Sequence, residues 1–257
     1  MNYIGIRGHR GAGKMSVAWL LGVALDTIKN DKNWDEEFEA AITRLKSSDF
    51  EMRSDSIDID YASFGDTPKS LVEMLLGCPR EYIYNDYNKD HMYVRMGDFR
   101  TFIDPHDCKI FHWSKDSTAI PQPDEYMSMR DFIMYFGMTV MQQHFGQNVW
   151  VKSMERNDDK FGSFEIPGIS TTNQYIIYSD VKAPTEVSYI KDHNGIIINV
   201  IRKDHRKGSG IDDSLKDDNR IDYTIELHGT NLYDIKDKIL KLAKDIYESN
   251  CKDKETR

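Results

Sequence analysis

The seven residues Gly8-His9-Arg10-Gly11-Ala12-Gly13-Lys14 constrain this chain more than any other stretch, because they match the spacing G-x-x-x-x-G-K. A turn spelled this way can aim successive backbone N–H groups at one anion, since glycine takes backbone angles that other residues resist. The flanks supply the context that such a turn needs. Tyr3-Ile4-Gly5-Ile6 is a short apolar run of strand type. Ser16 to Ile28 then places Val17, Leu20, Leu21, Ala24, Leu25 and Ile28 at helical spacing. A strand that ends in a glycine turn and opens a helix makes an anion seat at the helix N-terminus. Lys14 adds a mobile positive charge for the β- and γ-phosphates of a nucleotide. The expected nucleotide contacts are therefore Gly8, His9, Arg10, Gly11, Ala12, Gly13, Lys14, Met15 and Ser16.

The residue after the lysine departs from the consensus. A Ser or Thr hydroxyl normally stands there to bind Mg²⁺, whereas this chain has Met15, with Ser16 one place later. A thioether is a poor ligand for a hard cation. Three outcomes follow from the sequence: Ser16 takes the metal, water and a nearby carboxylate hold it, or the nucleotide chemistry is impaired.

The rest of the chain alternates strand and helix patterns. Trp34, Phe38, Ile42 and Leu45 recur every three or four residues within a charged stretch, 30–58, and predict a surface helix. Lys69 to Gly77 reads as a second helix behind Pro68. The stretch 79–124 is rich in aromatic residues with short β-like alternations, and is expected to be an inserted, partly β segment. Met129 to His144 returns to helical spacing. Tyr175–Tyr178, Ile196–Ile201 and Tyr223–Leu227 read as buried strands, with a short helix from Glu186 to His193 and a closing helix from Leu232 to Ile246. This order predicts an α/β fold of P-loop NTPase type, a parallel sheet with helices on both faces. Its core would come from about 1–60 and 170–257, with an inserted acceptor-binding region at about 61–169 and a lid at about 203–219.

The net charge of −9 argues against a protein that coats nucleic acid, an affinity supplied mainly by Lys and Arg. It leaves room for a local phosphate pocket. Cys78, Cys108 and Cys251 are scattered and show neither a disulfide framework nor zinc spacing. No window approaches the roughly 18 apolar residues of a membrane span, and the first residues lack a signal-peptide pattern. The expectation is a cytoplasmic protein with no membrane or nucleic-acid partner. The aromatic segment is open to being a homodimer face or a pocket wall.

Several stretches together resemble the deoxynucleoside monophosphate kinases of tailed phages, a branch of the P-loop kinases. That family's loop places its hydroxyl residue second after the lysine, where Ser16 stands, while Met15 replaces an acidic residue. Phe64-Gly65-Asp66-Thr67-Pro68-Lys69 resembles the family's entry into a helix. Met129 to Gly137 resembles a helix with an early arginine and a late glycine, and the spacing on to Trp150-Val151-Lys152 agrees. Ser179-Asp180-Val181-Lys182-Ala183-Pro184-Thr185-Glu186 is similar to a strand-end motif D-x-R-x-x-x-E, with Lys182 in place of arginine. Val200-Ile201-Arg202 and the stretch Tyr223 to Ile246 follow the family as well. The helix near Trp34 and the segment 79–124 lie outside the likeness.

The resemblance implies ATP and Mg²⁺ as cofactors and a nucleoside monophosphate as acceptor, in the host cytoplasm if the chain is phage-encoded. Phosphoryl transfer needs positioning and charge neutralisation. The resemblance places Arg130 at the acceptor's phosphate, with Lys69 as a second cation; Arg130 offers a bidentate fork, and otherwise would pair with Asp131 or Glu125 on the surface. Gly137 belongs to the acceptor helix. Trp150 would either stack on the acceptor base or fill a core. Asp180, after an apolar run, would hold Mg²⁺ through water or contact the sugar, or else cap the helix before Pro184. Lys182 and Glu186 would line the acceptor pocket. Arg202 is the family's cation near the nucleotide, and Arg206, in the basic run 202–207, would be a lid arginine acting on the transferring phosphate. Two other functions are compatible with the same residues: a nucleotide-binding sensor or interaction protein without turnover, and a P-loop kinase for another small phosphorylated metabolite.

Overall fold

The computed structural model describes residues 2–47, 50, 52, 58–114, 118–161, 175–203 and 219–255. In chain order the elements are β1 (Asn2–Gly8), α1 (Lys14–Lys29), α2 (Trp34–Leu45), β2 (Ile59–Ala62), α3 (Asp66–Leu76), α4 (Arg80–Tyr84), α5 (Asp86–His91), β3 (Met92–Arg95), β4 (Thr101–Ile103), β5 (Tyr126–Ser128) and α6 (Met129–Met134). A π-helical stretch, Tyr135–Met141, then leads into α7 (Gln142–Phe145), followed by α8 (Val149–Phe161), β6 (Tyr175–Val181), α9 (Pro184–Asp192), β7 (Ile196–Arg202) and β8 (Tyr223–Leu227). A 3₁₀ turn, Leu232–Ile235, opens into α10 (Lys236–Glu255). The chain divides into two compact units, Met1–Phe64 with Asn157–Arg257, and Gly65–Arg156.

The first unit is an α/β layer built on a five-stranded sheet of order β2-β6-β1-β7-β8, in which every pairing is parallel. Alternation along the strands gives the sheet two apolar faces. On one, Ile4 and Ile6 of β1, Ile177 of β6, and Ile198 and Val200 of β7 pack with the buried stripes of α1, α2 and α10. On the other, Tyr3, Phe64, Tyr178 and Tyr189 form an aromatic cluster, with the Phe64 and Tyr178 rings stacked 4.8 Å apart and α9 supplying Tyr189. Burying an isoleucine of this kind stabilises the fold by about 1.5–3 kcal/mol. Because the strands are parallel, all their carboxyl ends share one edge. The order also makes β1 the switch point, since the chain leaves it toward β2 and β6 on one side and reaches β7 and β8 on the other. Open parallel sheets bind ligands at such a crevice.

The expected buried strands and the helices at 16–28, 186–193 and 232–246 are all present, with boundaries shifted by a few residues. Two departures have physical causes. Strand β2 has only four residues, Ile-Asp-Tyr-Ala, too short for an apolar run to mark it; its pairing to β6 makes it a strand. The helix α2 forms as expected, but it is less a surface helix than its charges suggest. Its charged residues face outward, while Trp34, Phe38, Ala41 and Ile42 are buried in the main core. Asn33 caps it by accepting from Asp35 N–H at 3.0 Å, and three acidic residues occupy its first turn, where the helix dipole favours them.

The second unit contains a three-stranded antiparallel sheet, β4-β3-β5. Its core is Val72, Ile83, Met92, Val94, Met127, Met129 and Phe132. The segment 79–124 is thus partly β, holding the two short helices α4 and α5 and then β3 and β4, while the alternating run 108–113 forms only an isolated bridge, Ile110 to Tyr126. Pro68 lies inside the first turn of α3, which begins two residues before it.

Phe38 is fully buried, with edge contacts to Trp34 at 5.3 Å and Tyr233 at 5.5 Å. Phe38→Ala is expected to lower unfolding free energy in urea by about 3–5 kcal/mol. A loss below about 0.5 kcal/mol, the usual scale for a surface position, would contradict this packing.

Candidate functional site

The turn after β1 is held by its own backbone. Ala12 N–H donates to His9 O at 3.0 Å, and Val17 N–H to Gly13 O at 3.0 Å starts α1. Gly13, at the N-cap position, has φ 91°, a left-handed conformation that disfavours a side chain. Gly8 has no room for one, since a Cβ there would stand 2.3 Å from Val200 O on the neighbouring strand. The first turn of α1 has neither a capping side chain nor an acidic residue. Its leading N–H groups are therefore available to an outside acceptor.

Lys14 would ordinarily be unfavourable in the first turn of a helix. Its ammonium is stabilised by folding back to donate to Gly8 O at 2.7 Å and His9 O at 3.1 Å. Asp180 Oδ1 lies 3.5 Å away, and Asp180 Oδ2 pairs with Lys182 Nζ at 2.5 Å. The carboxylate thus bridges two lysines at the shared carboxyl edge of the sheet. Arg202, the last residue of β7, joins the group from the other side of β1. One of its terminal nitrogens would be 3.5 Å from a Cβ placed on Gly13. Its Nε is buried and has no hydrogen-bond partner among the described residues. A buried unpaired donor is costly. Lys14 and Arg202 therefore meet the glycine turn, and Asp180 joins Lys182 to Lys14.

Glu186 has a different place from the pocket lining expected of it. Its Oε2 accepts from the backbone N–H of Lys182 at 2.6 Å and of Ala183 at 2.9 Å. This is half of a capping box: Ala183, not Asp180, is the N-cap of α9, and Ala has no side-chain acceptor to complete the motif. Glu186 fixes the backbone that carries Lys182. Burial pushes its carboxyl up to about 7, although the two N–H groups favour the anion.

The oxygen donors near the turn fit a hard cation. Ser16 is half-buried in the first turn of α1, and Asp180 offers a carboxylate at the sheet edge. Mg²⁺ commonly uses one or two protein oxygens, with waters and phosphates completing its shell. Met15 is 52% exposed. Among the described residues, no group of three or more His, Cys, Asp or Glu side chains is placed to hold a metal by itself. His9 is half-buried and Arg10 exposed on the turn. Arg206 and nearly all of the expected lid, 203–219, lie outside the described residues.

The remaining candidates belong to the second unit. Arg130 does not pair with Asp131 or Glu125. It makes a fork with Asp90, Nε to Oδ1 at 2.5 Å and Nη2 to Oδ2 at 3.1 Å, and reaches Asp86 Oδ1 at 3.3 Å. Lys69 pairs with Asp66 at 3.4 Å and sits 5.1 Å from the centre of the Tyr84 ring. Trp150 is buried, and its indole N–H donates to Gly137 O at 3.1 Å across the π-helical stretch, so it acts as a core residue. Lys89 was not legible as a site residue; as one lysine in a polar run it carried no signal. It lies between Asp86, at 2.8 Å, and the positive fields of Lys69 and Arg130.

No protein-family model matches the chain, and no curated protein matches it. Among the described residues, no helix is long and apolar enough to cross a membrane.

Glu186 generates a pH test. Its folded value, about 7, lies above the ordinary 4.5. The folded state therefore binds the proton more tightly, and stability falls as pH rises from about 4.5 to about 7. Relative to Glu186→Gln, the native protein is expected to lose roughly 2–3 kcal/mol between pH 4.5 and pH 8 in urea melts. A constant difference across that range would contradict the burial of this carboxyl.

Proposed function

We propose that this chain is a P-loop phosphotransferase that moves the γ-phosphoryl group of ATP onto a nucleoside monophosphate. The observation that carries the reading is the glycine turn at the switch point of the sheet, with uncapped amides at the start of α1 and Lys14 held at its mouth. Lys14 and Arg202 at the turn, with Lys182 joined to Lys14 through Asp180, suit the charge of a triphosphate. The resemblance to phage deoxynucleoside monophosphate kinases then selects the acceptor class.

On this reading, the turn amides cradle the triphosphate, and Lys14 leaves the carbonyls of Gly8 and His9 for the β- and γ-oxygens. Arg202 neutralises phosphate charge through its buried Nε edge. Asp180 and Ser16 are the donors that would hold Mg²⁺, and when bound it would supply charge neutralisation to the phosphates. Lys182, fixed through Glu186, takes the role of the family's arginine and steadies the transferring group. Arg206 serves as the lid cation. Arg130 of α6, a helix whose π-helical continuation is locked by Trp150 and Gly137, and Lys69 of α3 bind the acceptor's phosphate. The acceptor hydroxyl-equivalent oxygen already belongs to a phosphate that is anionic at neutral pH, so alignment rather than a strong base is the main requirement.

An ADP-release assay with ATP, Mg²⁺ and each common nucleoside and deoxynucleoside monophosphate is the direct test. At least one acceptor is expected to turn over at roughly 1–100 s⁻¹. Lys14→Ala is expected to lower that rate by at least about 10²-fold while the melting temperature changes little. Absence of turnover with every acceptor, together with a nucleotide-induced rise in melting temperature, would replace the kinase by a nucleotide-binding protein without transfer.

A further inference from the structure

The second unit holds a charge arrangement that the family resemblance does not reach, because α5 lies within the stretch 79–124. Three cations, Lys69 of α3, Lys89 of α5 and Arg130 of α6, come from three helices. Lys89 and Arg130 share Asp86 Oδ1, at 2.8 and 3.3 Å, and the charge of Lys69 also acts on Lys89. Burial pushes that ammonium down, Asp86 pulls it back up, and Lys69 and Arg130 push it down again. The side chains of Lys89 and Arg130 are 13% and 25% exposed, whereas those of Asp86 and Asp90 are 73% and 43% exposed. The long basic side chains are held by their stems, and the short carboxylates that compensate them are open to solvent.

The fork that Arg130 makes with Asp90, and the contact of Lys89 with Asp86, use the same donors that a phosphate monoester would use. Asp86 meets both cations through the single oxygen Oδ1, at 2.8 Å from Lys89 and 3.3 Å from Arg130, whereas a dianion with three equivalent oxygens can give each cation an oxygen of its own. The exposed carboxylates also give up little on release, since solvent stabilises them once freed.

We propose that Lys89 completes a phosphate-monoester seat with Arg130 and Lys69, and that Asp86 and Asp90 are displaceable counter-ions occupying it until the ligand arrives. This rests on the kinase reading, for which the seat holds the acceptor's phosphate. In that role α5 sets a threshold: a weakly charged or neutral ligand cannot dislodge the aspartates, and a phosphate monoester can. Removing a carboxylate should therefore tighten binding, the opposite of what loss of an ordinary ligand contact does.

Calorimetric titration of the full chain tests this with three probes: inorganic phosphate, thymidine 5′-monophosphate and ribose 5-phosphate. Asp90→Asn and Asp86→Asn are each expected to tighten monoester binding about five- to tenfold, the scale of one removed competing charge. Lys89→Met, which keeps the apolar stem, is expected to weaken it about tenfold or more. A preference for the nucleotide over ribose 5-phosphate would identify the source of the phosphate. Unchanged or weaker binding in both aspartate variants, with melting temperatures intact, overturns the proposal, as does wild-type affinity in Lys89→Met. If Asp90→Asn melts early, the more exposed Asp86→Asn decides alone. ATP transfer measured on the same samples separates the two claims. Transfer that persists without these affinity changes sinks the seat alone; the affinity changes without any transfer sink the kinase reading and leave the seat.

Discussion

The ammonium of Lys14, held between two carbonyl oxygens of its own turn and the carboxylate of Asp180, ties together the parts on which the site depends. It requires β1 to end where the backbone can curl, which Gly8 and Gly13 permit. It also requires β6 to end beside β1, which the parallel pairing of Tyr3 with Ile176 and Arg7 with Val181 provides. The two faces of the sheet fix that pairing because they differ in kind: a slip of one residue would carry Ile4 and Ile6 from the aliphatic face onto the aromatic face of Tyr178 and Tyr189, and Tyr3 the other way. Hydrophobic alternation in the strands thus sets the distance between a lysine and an aspartate 166 positions apart in sequence. Arg202 follows from the same logic on the other side of β1, since β7 runs parallel to it and ends next to Gly13.

Local patterns made much of this legible. The turn, the strand before it and the helix after it are readable because glycine spacing and 3.6-residue periodicity are local signals. Asp180 and Arg202 were readable as strand-end residues, and the parallel sheet brings both to the turn. What the sequence did not show depended on long-range partners. Strand β2 exists through its pairing with β6. The buried face of α2 depends on α1 and on Phe38 meeting Tyr233 across nearly the whole chain. Glu186 turns toward the backbone that precedes α9, which a motif read as a pocket lining does not anticipate. Lys89 gains its significance from α3 and α6, neither adjacent to it in sequence.

The two units divide the candidate chemistry. The first gathers the turn, Asp180, Lys182 and Arg202 at one sheet edge. The second gathers Lys69, Lys89 and Arg130 among three short helices. In each, cations are held near carboxylates rather than left in solvent, which keeps a chain of net charge −9 able to present local positive sites. Met15 is compatible with this arrangement because it is exposed, leaving Ser16 and Asp180 as the oxygen donors beside the turn.

Amide NMR of the full chain during titration with ATP and Mg²⁺ examines the central claim most directly. The account predicts saturable shifts concentrated on the backbone N–H signals of Gly11, Gly13, Lys14, Met15 and Ser16, and their loss in Lys14→Ala at the same nucleotide concentration. Signals of the turn that stay fixed up to millimolar ATP would show that these amides do not receive a triphosphate, and the function assigned to the fold would fall with them.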